Sequence, residues 1–510
     1  MCGIAAIFST HAGLIDDIEG TLFSMMQKIA HRGDSSLFNE CLIKPNFGLS
    51  TNRLAIVERA SAKQPASDVA LDVHAVLNGQ IFNYKQVREE LVKLGSTFEG
   101  GGDAEVLLKA YLHYGPSFVE HLDGMFAFVI IDNNNGKLLI GRDHVGIKPL
   151  YYALKEHVWY AASEMKSLLD LGVEIRTLGP GEVFDGEHVY KYVTYSKNAV
   201  KSLDDHDVAK LKVRELMEHA VKSQVDTDLP IAVMFSGGLD SAVVLYLANK
   251  YHPDVTAISF GLPGSSDIAI AQKFCAEHNI RHIISTFTED DLIKNIPDAV
   301  YFSESFEKID AIDSAIAHFG YHIANKLGFK VALCGEGSDE IFYGYDLFKS
   351  HASPEELSLY RLNNLHRTDL QRVDRASMRN TVEARVPFMN HELVAYALSL
   401  DDDLKLRDGV EKHILREAFR DVLPDYVVDR PKIRMPDGSG VKNTIVDYVD
   451  GLELQVSSDV IHALGGIGIK DKSSLYFADS YLGFGYPFPL TRFKEVGKDF
   501  SESGYFHFIS

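Results

Sequence analysis

Residues 231–241 read IAVMFSGGLDS, and that stretch decides the fold of the second half of the chain. Ile231–Phe235 is an apolar run of strand length, followed by a pair of glycines and then by a helical pattern over 241–251. Between them lie Ser236, Gly237, Gly238, Leu239, Asp240 and Ser241. Two glycines let main-chain N–H groups approach phosphate oxygens closely, and the helix N-terminus behind them favours negative charge. The spacing is not that of a GxxxxGK[ST] loop. A Ser-Gly-Gly-x-Asp-Ser turn instead suits pyrophosphate as the leaving group of ATP, with AMP retained on the acid being activated.

Outward from this loop, Val255–Phe260, His282–Phe287 and Val331–Cys334 are further apolar runs of strand length, and 267–278 is helical. Alternating strands and helices predict right-handed βαβ units and a parallel sheet. Residues from about 352 onward read as mostly helical. At the end of the Val331–Cys334 run stands Cys334-Gly335-Glu336-Gly337-Ser338-Asp339-Glu340. Asp240 and Asp339 are candidate Mg²⁺ ligands, since this ion takes carboxylates together with phosphate oxygens and waters. Glu336 is a candidate for orienting an attacking amine or taking its proton. Lys432, in Arg430-Pro431-Lys432, is a candidate for neutralising phosphate charge. The polar segment Thr194–Asp207 lacks periodicity, which puts the domain boundary there and predicts domains at 2–195 and 205–510.

The first domain carries short strands with glycine turns: Gly3–Phe8, Ala75–Leu77, Met125–Ile131, Lys137–Gly141 and Leu150–Ala153. Helical stretches near 16–30, 85–94 and 104–114 complete an α+β layered pattern with mixed or antiparallel sheets. Removal of Met1 exposes Cys2 as an amino-terminal thiol. Its own α-amine, with a pKa of about 7.7–8.0, serves as its base. Asn78-Gly79 offers an amide and an unhindered N–H for an oxyanion. Arg53, leading Arg53-Leu54-Ala55-Ile56-Val57, suits a carboxylate, and Asp103 suits an ammonium. Thiol, oxyanion donors, anion clamp and cation partner together match glutamine, a zwitterion with a cleavable side-chain amide.

A formal charge of −21 with no basic block disfavours nucleic acid as a partner. No apolar run approaches the ~20 residues that span a bilayer, and no secretory signal is evident. Four dispersed cysteines, without metal-ligand spacing, fit a reducing cytoplasm.

The stretches MCGIAAIF, RLAIV, NGQIFNY, GRDHVGIKPLYY (141–152), ASEMK (162–166), SGGLDS, GLPGSSD (261–267), CGEGSDE and EARVPF (383–388) resemble the glutamine-dependent asparagine synthetase family over nearly the whole chain. The resemblance implies an Ntn-type α/β/β/α glutaminase domain and an ATP-pyrophosphatase (PP-loop) synthetase domain, joined by an ammonia tunnel. It implies that Cys2 attacks glutamine while Asn78 and Gly79 hold the oxyanion. Arg53, Leu54, Ala55, Ile56, Val57, Gln80 and Asp103 hold the substrate. Phe235, Ser236–Ser241, Phe260, Cys334 and Gly335 line the ATP site, Asp240 and Asp339 hold Mg²⁺, and Glu336 and Lys432 serve the acyl-adenylate. Dimers are common in that family, and the sequence displays no interface.

Three departures bear on function. His31-Arg32-Gly33-Asp34-Ser35 stands where the family has His-Arg-Gly-Pro-Asp, and Gln80 stands where it has Glu. Residues 306–313, FEKIDAID, lack the Thr-Thr-x-x-Arg stretch of many aspartate-using members. Residues 430–440 are also similar to β-lactam synthetases. The leading expectation is therefore glutamine-driven amidation of a carboxylate, by default that of aspartate. The second is an ATP-dependent amide or β-lactam synthetase on another amino-acid-derived carboxylate, with reduced glutaminase activity. A silent homologue is the third.

Overall fold

The computed structural model describes residues 2–9, 15–34, 40–196, 201–202, 204–441, 443–458, 460–462 and 471–487. Met1 and Ser35 lie outside the described residues, as do 197–200 and 203 in the boundary segment and everything after 487. The chain divides into two compact units, 1–194 and 195–510.

The first unit is built from two six-stranded antiparallel sheets. One runs, in spatial order, Arg176–Thr177, Tyr151–Lys155, Val158–Ala162, Cys2–Ser9, Phe47–Arg53 and Glu40–Lys44. The other runs Val189–Lys191, Glu182–Phe184, Lys137–Arg142, Gly124–Asp132, Val73–Ile81 and Ala66–Asp68. Strand alternation sorts their side chains into three apolar layers. Ile4, Ala6 and Phe8 face Val76, Val129 and Ile131 between the sheets. Ala5 and Ile7 point the other way, onto the helix Ile18–Gln27. The helices Tyr84–Lys93 and Asp103–Tyr114 cover the outer face of the second sheet. The layer order is the α/β/β/α expected. Covered on both faces, Cys2–Ser9 is buried throughout, which is why it reads as a continuous apolar run.

Several strands escape the sequence. Phe47–Arg53 is wholly buried yet contains Gly48, Ser50, Thr51, Asn52 and Arg53, a composition that imitates a loop. Glu40–Lys44 is an edge strand with alternating exposure, and Val158–Ala162 closes a hairpin with Tyr151–Lys155. Beyond the strand Lys137–Arg142, residues 143–149 (DHVGIKP) form a buried loop held from within. Arg142 donates to the carbonyls of Lys148, Gly146 and Leu178, and the Asp143 carboxylate accepts from the N–H groups of Ile147 and Lys148.

The second unit centres on a parallel sheet in the order Arg281–Thr286, Val255–Gly261, Ile231–Met234, Val331–Leu333, Glu383–Arg385. The chain winds outward from Ile231–Met234, then returns to lay Val331–Leu333 on its other side. Open α/β sheets bind ligands at such a reversal, past the carboxyl ends of the strands. The loops at 236–241 and 334–340 both leave from that point. Glu383–Arg385 is the strand the sequence reading omits; three residues carry no period. Among the described residues no helix is long and apolar enough to cross a membrane.

Candidate active sites

In the first unit Cys2 opens the central strand directly opposite Arg53. The Cys2 main-chain N–H donates to Asn78 Oδ1 at 3.1 Å, reaching across from the facing sheet. That bond turns the other end of the amide outward: Asn78 Nδ2 is buried and has no hydrogen-bond partner among the described residues. A buried donor without a partner is costly, so it marks a place made for an acceptor. Gly79 follows with φ +131°, and a Cβ there would lie 2.0 Å from the Met125 carbonyl oxygen, so only glycine fits. Gln80, on the Asn78 face of the strand, is 3% exposed. Asp103 starts its helix beside the strand end and accepts from the Ile81 N–H at 3.2 Å.

The Arg53 guanidinium is turned onto its own loop. It donates to the carbonyls of Ala62 (2.5 Å), Val57 (3.1 Å) and Glu58 (3.4 Å), curling 54–62 beside the thiol. Leu54, Ala55 and Ile56 are buried there. Two groups that sequence reasoning missed support the thiol. Gln64 Nε2 lies 3.8 Å from Cys2 Sγ while its Oε1 accepts from the Leu77 N–H, tying thiol to oxyanion strand. Arg32 donates to the Cys2 carbonyl at 3.3 Å and to Glu164 at 2.6 Å. Glu164 also takes Lys166 and His31, so the HRG and ASEMK stretches meet in one buried network. Burial lowers the His31 pKa despite Glu164.

In the second unit the strand Ile231–Met234 ends in Phe235 and the glycine loop. Gly237 has φ +73°, and the hydroxyls of Ser236 and Ser241 lie 3.2 Å apart at the start of the helix Leu239–Tyr251. Arg430 donates to the Ser236 carbonyl and pairs with Asp267 at 2.7 Å, linking the loop to GLPGSSD. One cavity is lined by Phe235, Phe260, Cys334 and Gly335 together with Asp240 and Asp339. Burial pushes the Cys334 thiol up to about 12, so it is wall and not nucleophile.

The two aspartates converge. Lys412 Nζ lies 2.6 Å from Asp240 and 2.6 Å from Asp339, and Lys432 Nζ lies 2.6 Å from Asp339 and 3.7 Å from Asp240. Burial opposes the charge on Asp339, yet Lys412 and Lys432 hold its carboxyl well below the usual range. Lys432 is held well above its usual range by Asp339 and Asp240 against burial. Carboxylates close enough to share one ammonium are close enough to share one Mg²⁺, and their hard oxygens suit that ion. Lys412 is a site residue the sequence did not disclose, for it joins Asp240 across 172 positions. Glu336 sits beside Arg372 at 3.4 Å, and burial raises its pKa in spite of that partner.

A family profile described as a glutamine amidotransferase domain matches residues 1–228, and one described as asparagine synthase matches 212–359 and 348–459. Asparagine synthetase B [glutamine-hydrolyzing] of Escherichia coli K12 is 32% identical over 465 residues, covering 86% of this chain and 83% of that protein. Asparagine synthetase [glutamine-hydrolyzing] of Sandersonia aurantiaca is 32% identical, covering 94% and 92%. Asparagine synthetase [glutamine-hydrolyzing] 3 of Arabidopsis thaliana is 31% identical, covering 89% and 81%.

Proposed function

This chain belongs to the glutamine-hydrolysing asparagine synthetase family, and on that premise we propose how its residues divide the work of an ATP-dependent carbon–nitrogen ligase. The Cys2 thiol gives its proton to the α-amine left by removal of Met1 and attacks the glutamine side-chain carbonyl. Asn78 Nδ2 and the Gly79 N–H hold the oxyanion. Ammonia departs, and water releases glutamate from the thioester. Arg53 shapes the loop 54–57 that holds glutamine with Gln80, and Asp103 faces the ammonium.

In the synthetase unit a carboxylate, by default that of aspartate, attacks the α-phosphorus of ATP and pyrophosphate leaves. The loop Ser236–Ser241 receives the pyrophosphate, and Phe235, Phe260, Cys334 and Gly335 enclose the nucleotide. Asp240 and Asp339 would hold Mg²⁺, which supplies neutralisation of the phosphate charge. Lys432 and Lys412 add positive charge at the same place. Ammonia then attacks the acyl-adenylate, Glu336 takes its proton, and AMP leaves. The raised Glu336 pKa brings this base closer to neutral pH, where proton transfer is most effective.

The observation that carries the reading is the convergence of Asp240 and Asp339, from the loops of two adjacent strands, on one buried ammonium. The four cysteines are free, which supports a reducing, cytoplasmic setting. A homodimer belongs to the proposal. The test is a Cys2→Ala variant supplied with ATP, Mg²⁺ and aspartate. It should form asparagine from ammonium at the parent rate and none from glutamine. Equal use of glutamine by parent and variant would remove Cys2 from the reaction.

A further inference from the structure

Asp310 and Asp313 stand one turn apart on the same face of the helix Lys308–Lys326. Asp313 reaches the wall of the nucleotide cavity, beside Glu336 and Asp369. Acids early in a helix are ordinarily solvated and favoured by the helix dipole. These are not solvated: Asp310 is 4% and Asp313 7% exposed. Asp310 Oδ2 and Asp313 Oδ1 also lack any hydrogen-bond partner among the described residues.

Arg372 is the guanidinium at their centre, and it is already divided. It lies 2.7 Å from Asp369, 3.4 Å from Glu336 and 3.7 Å from Asp313. Burial pushes the Asp313 carboxyl up to about 6, and burial with neighbouring acids pushes Asp310 well above its ordinary value. This end of the cavity is short of positive charge. The other cations are committed as well. Arg416 pairs with Glu411, Arg430 with Asp267, and Lys412 and Lys432 with Asp240 and Asp339. Arg434 acts electrostatically on Asp313 itself. A ligand carboxylate placed here meets acids, whereas a ligand ammonium supplies what the buried oxygens lack.

We propose that the acid activated in this cavity is recognised through its ammonium group, received by Asp313 with Asp310 behind it, and that a second carboxylate on the acid is dispensable. This rests on the reading of the cavity as an acid-activating site. Aspartate qualifies through its α-ammonium. So does 3-aminopropanoate, which keeps the same spacing from reacting carboxyl to ammonium and has no second carboxylate. Succinate keeps both carboxylates and has no ammonium.

The experiment measures pyrophosphate release by the full chain with Mg²⁺, ATP and ammonium chloride, offering each of the three acids in turn. Expected is a kcat/KM for 3-aminopropanoate within about 10-fold of that for aspartate, and for succinate at least about 100-fold lower, the scale of an unpaired buried charge. Succinate matching aspartate, or 3-aminopropanoate failing where aspartate works, overturns the proposal and leaves the ligase reading standing. No pyrophosphate with any acid overturns both. Asp313→Asn should raise the KM for both amino acids about 100-fold while the KM for ATP stays unchanged. An unchanged amino-acid KM in Asp313→Asn and Asp310→Asn alike also overturns it.

Discussion

Glu164 in the first unit and Asp313 in the second are both buried carboxylates, and they keep opposite company. Glu164 is fully buried and paired with two cations, Arg32 at 2.6 Å and Lys166, and His31 adds a hydrogen bond at 3.1 Å. Asp313 shares one guanidinium with Glu336 and Asp369 and has an oxygen with no partner. A low dielectric strengthens both situations, so a complete network holds the chain rigid and an incomplete one stores unfavourable energy. The first belongs to scaffold: through Arg32 it fixes the main chain at Cys2. The second belongs to recognition, since only a ligand completes it. Asn78 Nδ2 is the neutral counterpart of Asp313, a buried donor with no partner among the described residues, at the place proposed for the oxyanion.

Breaking the complete network should have the largest effect. Glu164→Ala leaves Arg32 and Lys166 buried without their carboxylate and should cost about 3–5 kcal/mol of stability, read by chemical unfolding of the full chain. A loss under about 1 kcal/mol, the level of an exposed ion pair, would show that the network is not structural.

Asn78→Ala removes a group that is only half engaged. It should lower kcat for glutamine hydrolysis about 100- to 1,000-fold, the scale of one lost oxyanion donor, and cost only about 1 kcal/mol of stability. Ammonia-driven synthesis should be unchanged. An equal fall with ammonia would mean that the two activities are not separable at Asn78.

Asp313→Asn should stabilise the chain, which sharpens the contrast with Glu164. The folded carboxyl titrates near 6, above its ordinary 3.8, so the folded form binds the extra proton between these values. Stability due to this group therefore falls as pH rises through that window and stays low above it. The variant escapes this cost. Its advantage should be absent below about pH 4 and reach about 2–3 kcal/mol at pH 8. A variant less stable than the parent at pH 8 would mean that Asp313 is satisfied after all.

What the sequence disclosed was local. The glycine loop 236–241, the acidic turn 334–340 and the Asn78-Gly79 pair each state their chemistry within a few residues, because glycines and caps constrain the backbone where they stand. The chain reversal that brings the two ATP loops together follows from alternating strands and helices. What stayed hidden was long-range. Gln64 meets Cys2 across 62 positions and Lys412 meets Asp240 across 172, and neither carries a local signal. Arg53 was legible as a clamp for a carboxylate, but its turn onto the carbonyls of Val57, Glu58 and Ala62 depends on how its own loop folds back. The 306–313 stretch was legible as a departure from the family. Its burial, which gives the departure meaning, appeared only with the fold.

The central claim is that this chain joins an acid to AMP and lets nitrogen displace it. The most direct measurement follows the nucleotide products while the chain turns over ATP, Mg²⁺, glutamine and aspartate. AMP and pyrophosphate in equal amounts, matching the amide formed, are the predicted result. ADP and orthophosphate in their place would contradict the account.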